Sequence, residues 1–313
     1  MNKITVIGSG SVGSTIAYTL TVTGIASEIV MIDINQEKSL GEALDIRQGV
    51  PFCNPATIYA GSYEDAKDSD IVVITSGVAR QPGQSRLDLA QTNVNILKLV
   101  AKDIVKHAPD ATYIIVSNPV DVLTYVFHKI SGIPEERIIG SGTILDTARL
   151  RSRVAEYYDV NQKNVHAYVL GEHGDSSFVP WSVANISNVP IEDYRNALVN
   201  SNSYPEFDRE EVENYVRKSG ARVIQRKGAT FYAVSISVCH ICKCLLSGID
   251  TTMTVSTMMH GEYGIDDVCL SLLSVVGHKG AHSKVLLPLN DEEVKALHHS
   301  ANCLKEIINN IEI

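Results

Sequence analysis

Apolar runs at residues 3–7, 28–32, 71–75, 113–116 and 137–139 alternate with stretches of helical period at 11–23, 36–49, 87–107 and 120–131. The runs are continuous rather than alternating, as in strands covered by helices on both faces. The pattern therefore predicts an α/β fold built on a doubly wound parallel sheet. Near Gly140 and Gly142 the rhythm changes. Beyond it come a helix at 145–157, an antiparallel-looking stretch at 165–186, helical patterns at 208–227 and 229–246, strands at 252–259 and 268–276, and a last helix at 291–310. This mixture reads as a separate α+β domain, which places the domains at 1–142 and 143–313.

Composition changes the picture mainly by exclusion. The chain has 313 residues, 44% of them hydrophobic and 20% charged, enough for two ordinary cores. Its net charge of -9 argues against a nucleic-acid binder, which needs a basic stripe to displace counterions from phosphate. Small anionic ligands would have to be held by a few placed arginines and helix N-termini. No apolar run is long enough to span a bilayer, and the first residues read as a strand rather than a leader, so the expectation is a cytoplasmic protein. Cys239, Cys242 and Cys244 cluster beside His240, but on an apolar helical stretch with no second knuckle. They read as reduced core thiols, with no metal expected.

The first chemistry follows the first strand. Gly8-Ser9-Gly10-Ser11-Val12-Gly13 stands between a strand and a helix, and Asp33 ends the second strand. In that context the first glycine allows a tight turn, the second lets the backbone approach a pyrophosphate, and the third lets helix and strand pack closely. Asp33 would accept hydrogen bonds from the ribose hydroxyls and repel a 2′-phosphate, acting on the ribose rather than on packing. Ile34 and Asn35 offer no cation for such a phosphate, so NAD is the expected cofactor. The first half thus reads as a Rossmann domain and the second as the substrate domain.

Three further stretches carry charge where a fold would not ask for it: the loop from Thr75 to Arg86, Leu145-Asp-Thr-Ala-Arg149, and Gly171-Glu-His-Gly-Asp175. With Ser117-Asn-Pro-Val-Asp121 and the glycine turn, they make the whole chain resemble the L-lactate/malate dehydrogenase family. The resemblance implies reversible hydride transfer between NADH and C2 of a small 2-keto acid. It implies His173 as the acid/base group, Asp146 as the carboxylate that orients it, and Arg86 as a loop arginine that polarises the carbonyl on closure. Arg149 would grip the substrate carboxylate and Asn118 the reacting oxygen, while Val12, Gly77, Val116 and Asn118 would line the nicotinamide side. Asp146 and Arg149 alone could be a surface helical pair, and His173 alone a core histidine. A non-enzymatic dinucleotide sensor would keep the glycines and Asp33 but has no use for the four charged groups together.

Within the resemblance the substrate signals divide. Arg80 stands where lactate dehydrogenases carry Gln and malate dehydrogenases Arg, whereas Thr230 and the run Gly171-Glu172-His173 are lactate-type. A guanidinium facing C3 suits the second carboxylate of oxaloacetate and would be a desolvated cation against a methyl group. The reading is oxaloacetate/malate, with pyruvate/lactate as the alternative. Arg151 and His166 match the positions through which bacterial relatives bind fructose 1,6-bisphosphate as tetramers, which implies a homotetramer with an allosteric site. The same residues also read as an interface ion pair and a strand-end hydrogen bond.

Overall fold

A computed structural model describes residues 2–79, 83 and 85–313. Its first half runs β1 (Lys3–Ile7), α1 (Ser11–Thr23), β2 (Glu28–Ile32), α2 (Gln36–Gly49), β3 (Thr57–Ala60), β4 (Ile71–Ile74), α3 (Arg86–His107), β5 (Thr112–Ile115), α4 (Val120–Ser131) and β6 (Ile138–Gly140). The second runs α5 (Ile144–Tyr158), β7 (Val165–His166), β8 (Asn185–Ile186), β9 (Val189–Pro190), α6 (Ile191–Ala197), α7 (Arg209–Lys227), α8 (Tyr232–Leu245), β10 (Thr251–His260), β11 (Asp266–Gly277), β12 (Gly280–Lys284) and α9 (Asp291–Ile308).

The main sheet has the order β12-β11-β10-β6-β5-β4-β1-β2-β3. From β3 to β6 every pairing is parallel. Chain order reverses between β1 and β4, and such a reversal opens a crevice at the carboxyl ends of the strands. Side-chain alternation explains why β4 reads as a continuous apolar run. Val72 and Ile74 join the core on one face, with Leu97, Phe127 and Leu297, while Ile71 and Val73 join the core on the other, with Ile16, Leu20 and Ile241.

The sequence pattern is corrected in three places. The strands of the second half form no separate main sheet: β10 pairs antiparallel with β6 at Ser256 and Gly140, so one sheet runs through both halves. Gly140 is needed there, because a Cβ would stand 2.3 Å from Thr124 Oγ1 and 2.9 Å from Ser256 Cβ. Strands β3 and β12 went unread because each is short, at an edge, and buries little. The stretch 165–186 is mostly loop, with β7 and β8 at its ends and bridges from Leu170 to Phe178 and from Gly171 to Ser271. The second bridge pins the chain just before His173 onto the main sheet. A third core, including Leu150, Val154, Tyr158, Trp181, Val212 and Val216, ties α5 and α7 to the small β7-β8-β9 sheet. No helix among the described residues is long and apolar enough to cross a membrane.

Candidate active site

The glycine turn is shaped by contacts that leave no room for side chains. Gly8 has φ +100, and a Cβ on it would meet Thr75 Oγ1 at 2.7 Å; one on Gly13 would meet the Gly8 carbonyl oxygen at 1.8 Å. A Cβ on Gly10, by contrast, would meet nothing within 4 Å among the described residues. Gly10 caps α1 without a side-chain hydrogen bond, so the first-turn N–H groups are available to an anion. Asp33 sits at the end of β2, and its Oδ2 accepts the main-chain N–H of Ser9 at 2.5 Å while Oδ1 accepts that of Asn35 at 2.8 Å. This corrects the reading of Asp33 as a residue that acts on ribose alone, since it also holds the turn. Open backbone, an uncapped helix start and a fixed carboxylate together fit an NAD adenosine and pyrophosphate.

A cavity of about 400 Å³ extends from this turn into the second half of the chain. Val12, Gly77, Val116 and Asn118 line it from the first half, and Asp146, Arg149, His173 and Thr230 from the second. Asn118 Oδ1 accepts the N–H of Val120 at 3.3 Å, and its carbonyl accepts from the Nδ2 of Asn93 at 2.7 Å. Asn93, buried on α3, also exchanges two hydrogen bonds with the main chain of Val78. The sequence reading missed this brace, although a polar residue on the buried face of an amphipathic helix was its signal.

Asp146 is the hub of the charged residues. One turn of α5 brings Arg149 Nη1 to Asp146 Oδ1 at 2.9 Å, while His173 Nδ1 reaches Asp146 Oδ2 at 2.6 Å. With Nδ1 so engaged, Nε2 is the ring nitrogen left for a substrate. Burial would raise the Asp146 carboxyl, yet the attraction of His173, their hydrogen bond and the nearby Arg149 hold it below the usual carboxylate range. For His173 the charge of Asp146 is the largest influence; it outweighs burial and the opposing Arg149 and lifts the imidazole to about 9. The ring is therefore an imidazolium at neutral pH, a proton donor beside a guanidinium.

The remaining candidates lie elsewhere. Arg86, the first residue of α3, forms an ion pair with Asp175, and both side chains are largely exposed. It lines a small cleft with Asn118, Glu172 and His173, beside the cavity that holds Asp146. Arg80 falls outside the described residues. Arg151 donates from Nε to the Ala167 carbonyl at 3.0 Å and lies over the Tyr168 ring, whereas His166 is exposed on β7. Arg217 on α7, unremarked in the sequence, also lines the cavity and bonds the carbonyl of Ser177. The thiols of Cys239 and Cys242 are buried on α8, where burial pushes Cys239 up to about 12.

Comparison with known proteins agrees along the whole length. Residues 2–140 match the family model for the lactate/malate dehydrogenase NAD binding domain, and residues 143–312 match that for the lactate/malate dehydrogenase alpha/beta C-terminal domain. An L-lactate dehydrogenase of Thermoanaerobacter sp. (strain X514) is 46% identical over 313 residues, covering 100% of both chains. One from Acetivibrio thermocellus is 43% identical, covering 100% of this chain and 98% of that one. Among solved structures, a lactate dehydrogenase from a Medee basin deep-sea metagenome superposes with a TM-score of 0.94 at 38% identity, over 99% of this chain and 98% of that one. The minor L-lactate dehydrogenase of Enterococcus mundtii gives 0.94 at 35%, over 100% and 99%. With the nucleotide turn, the cavity and these likenesses in hand, the chain belongs to the lactate/malate dehydrogenase family, NAD-dependent oxidoreductases that act on the CH–OH group of small 2-hydroxy acids.

Proposed function

We propose that the chain interconverts a 2-keto acid and its L-2-hydroxy acid with His173 as the acid/base group. The observation that carries this reading is the buried carboxylate of Asp146, which by itself holds both His173 and Arg149 at one cavity. Bound NADH supplies the hydride. Negative charge then grows on the C2 oxygen, and the imidazolium of His173 gives it a proton from Nε2 while Asp146 keeps the ring oriented. Arg149 takes the substrate carboxylate on the donors that Asp146 leaves free. Asn118 holds the reacting oxygen, and Arg86 leaves Asp175 to polarise the carbonyl. Gly8, Gly10, Gly13 and Asp33 hold the dinucleotide, with Val12, Gly77 and Val116 beside the nicotinamide.

For the substrate, Arg80 favours oxaloacetate and malate, because a cation at that loop position pairs with a second carboxylate and is penalised against a methyl group. A second reading, pyruvate and lactate, is favoured by Thr230 in the cavity wall and by the names of the relatives. NADH oxidation measured with the two keto acids side by side decides between them, and inactivity with both would overturn the enzymatic reading. We also propose a homotetramer with Arg151 and His166 as the bisphosphate site. Their placement supports this in one respect: Arg151 is bonded to Ala167, the residue that follows His166.

A further inference from the structure

The sequence from Val120 to Phe127 is almost wholly buried and otherwise asks for apolar or neutral side chains, yet its second residue is Asp121, only 2% exposed. Burying a carboxylate among Val120, Val122 and Leu123 is costly unless the charge has a use. Oδ2 of Asp121 accepts the main-chain N–H of His173 at 2.7 Å. Oδ1 is buried with no partner at hydrogen-bond distance among the described residues; the Ser256 hydroxyl on β10 is near enough to favour the carboxylate but lies outside ordinary hydrogen-bond geometry. Accepting one N–H does not require a carboxylate, since an asparagine oxygen would serve. What a carboxylate adds is charge.

The groups that face Asp121 show where that charge acts. Glu172, from the His173 segment, opposes its ionisation, and Asp121 in turn helps to push up the thiol of Cys269 on β11. The cation that faces it is His173, whose protonated form Asp121 supports alongside Asp146 and against Arg149. Burial lifts the Asp121 carboxyl to about 6 despite Ser256 and the His173 N–H, so it remains largely an anion at neutral pH. Position near the start of α4 favours that anion further.

We infer that Asp121 is a positioning residue for His173: it anchors the main chain where Asp146 anchors the ring, and its negative charge helps to sustain the protonated imidazole between two buried carboxylates. The inference rests on the reading of His173 as the acid/base group, and its test separates the two. Keto-acid reduction is followed from about pH 6 to about pH 10 in the wild type, Asp121→Asn, Asp121→Ala and His173→Asn, together with NADH binding and NMR titration of the His173 ring. Asp121→Asn keeps an oxygen for the N–H and loses the charge, so the alkaline limb of kcat/KM and the ring titration should both move down by about one pH unit. Asp121→Ala loses both, so it should shift the limb similarly and also lower the plateau kcat about tenfold below that of Asp121→Asn. If limb and ring titration stay at the wild-type position, the inference is overturned. Should neither variant fold, the wild-type ring resonance must still show a second inflection as Asp121 titrates, and a single inflection overturns the inference equally. A fully active His173→Asn overturns the acid/base reading itself, whatever the Asp121 variants do.

Discussion

Asp33 accepts the main-chain N–H of Ser9 at 2.5 Å, so the acid proposed to select the ribose also holds the glycine turn. Changing it should therefore alter cofactor choice and stability together. Asp33→Ser removes the negative charge that repels a 2′-phosphate and should relax discrimination against NADPH. It also strips acceptors from Ser9 and Asn35, at a cost of about 1–3 kcal/mol in unfolding free energy. Asp33→Asn keeps one oxygen and should lose less stability. KM ratios for NADPH and NADH, with thermal melts, check both effects; an unchanged ratio would show that Asp33 does not select the cofactor.

The Asp146–His173 pair sets a pH dependence. If His173 is the acid/base group, reduction needs the protonated ring, which the charge of Asp146 lifts to about 9, so kcat/KM should hold below that value and fall about tenfold per unit above it. Oxidation of the hydroxy acid needs the neutral ring and should show the opposite limb. The pair also links to folding. A raised histidine contributes stability that is fully present below the ordinary value of 6.5 and is lost as pH rises through about 9, so Tm should decline across that window. His173→Asn should remove most of the turnover, spare NADH binding and flatten that decline. A variant that still turns over normally would sink the assignment.

The elements nearest the nucleotide turn were legible because each is a short run bounded by glycine or polar residues, and the structure starts and ends β1, α1 and β2 where the pattern does. Edge strands such as β3 were not legible, since Ile58 is its only buried residue and leaves no period to read. The charged site is a different matter. Asp146 and His173 meet across 27 residues and Arg86 and Asp175 across 89, separations that no local period encodes. Motif resemblance grouped the first pair. Asp121 and Asn93 escaped because their partners are main-chain N–H and carbonyl groups, which sequence does not distinguish from one position to the next.

Arg80 gives the sharpest test of substrate choice. If it pairs with the second carboxylate of oxaloacetate, Arg80→Gln should lower kcat/KM for oxaloacetate and raise it for pyruvate. Removing one partner of a desolvated charge pair and relieving an unpaired cation act in the same direction, so the preference should move by roughly 100-fold or more. Equal changes for both substrates would mean that the residue does not read C3.

Regulation across subunits would run through α5. Arg149 and Arg151 lie two positions apart on α5 and so point to different faces, one toward the cavity with Asp146 and the other toward Ala167 and Tyr168. Partial burial holds the Arg151 guanidinium below its ordinary range, so the cation is partly desolvated. Such a group gains from a polyanion. If Arg151 and His166 of neighbouring subunits face one another, like charges repel until a bisphosphate bridges them, and bridging would steady the helix that carries Arg149. Fructose 1,6-bisphosphate should then lower the KM for the keto acid and raise the sedimentation coefficient. Arg151→Gln should abolish both responses. That variant also loses the bond to Ala167, so its Tm must be measured alongside to separate a lost ligand site from a loosened helix. Identical kinetics and sedimentation with and without the bisphosphate would leave Arg151 as an intrachain clamp between α5 and the segment that follows β7.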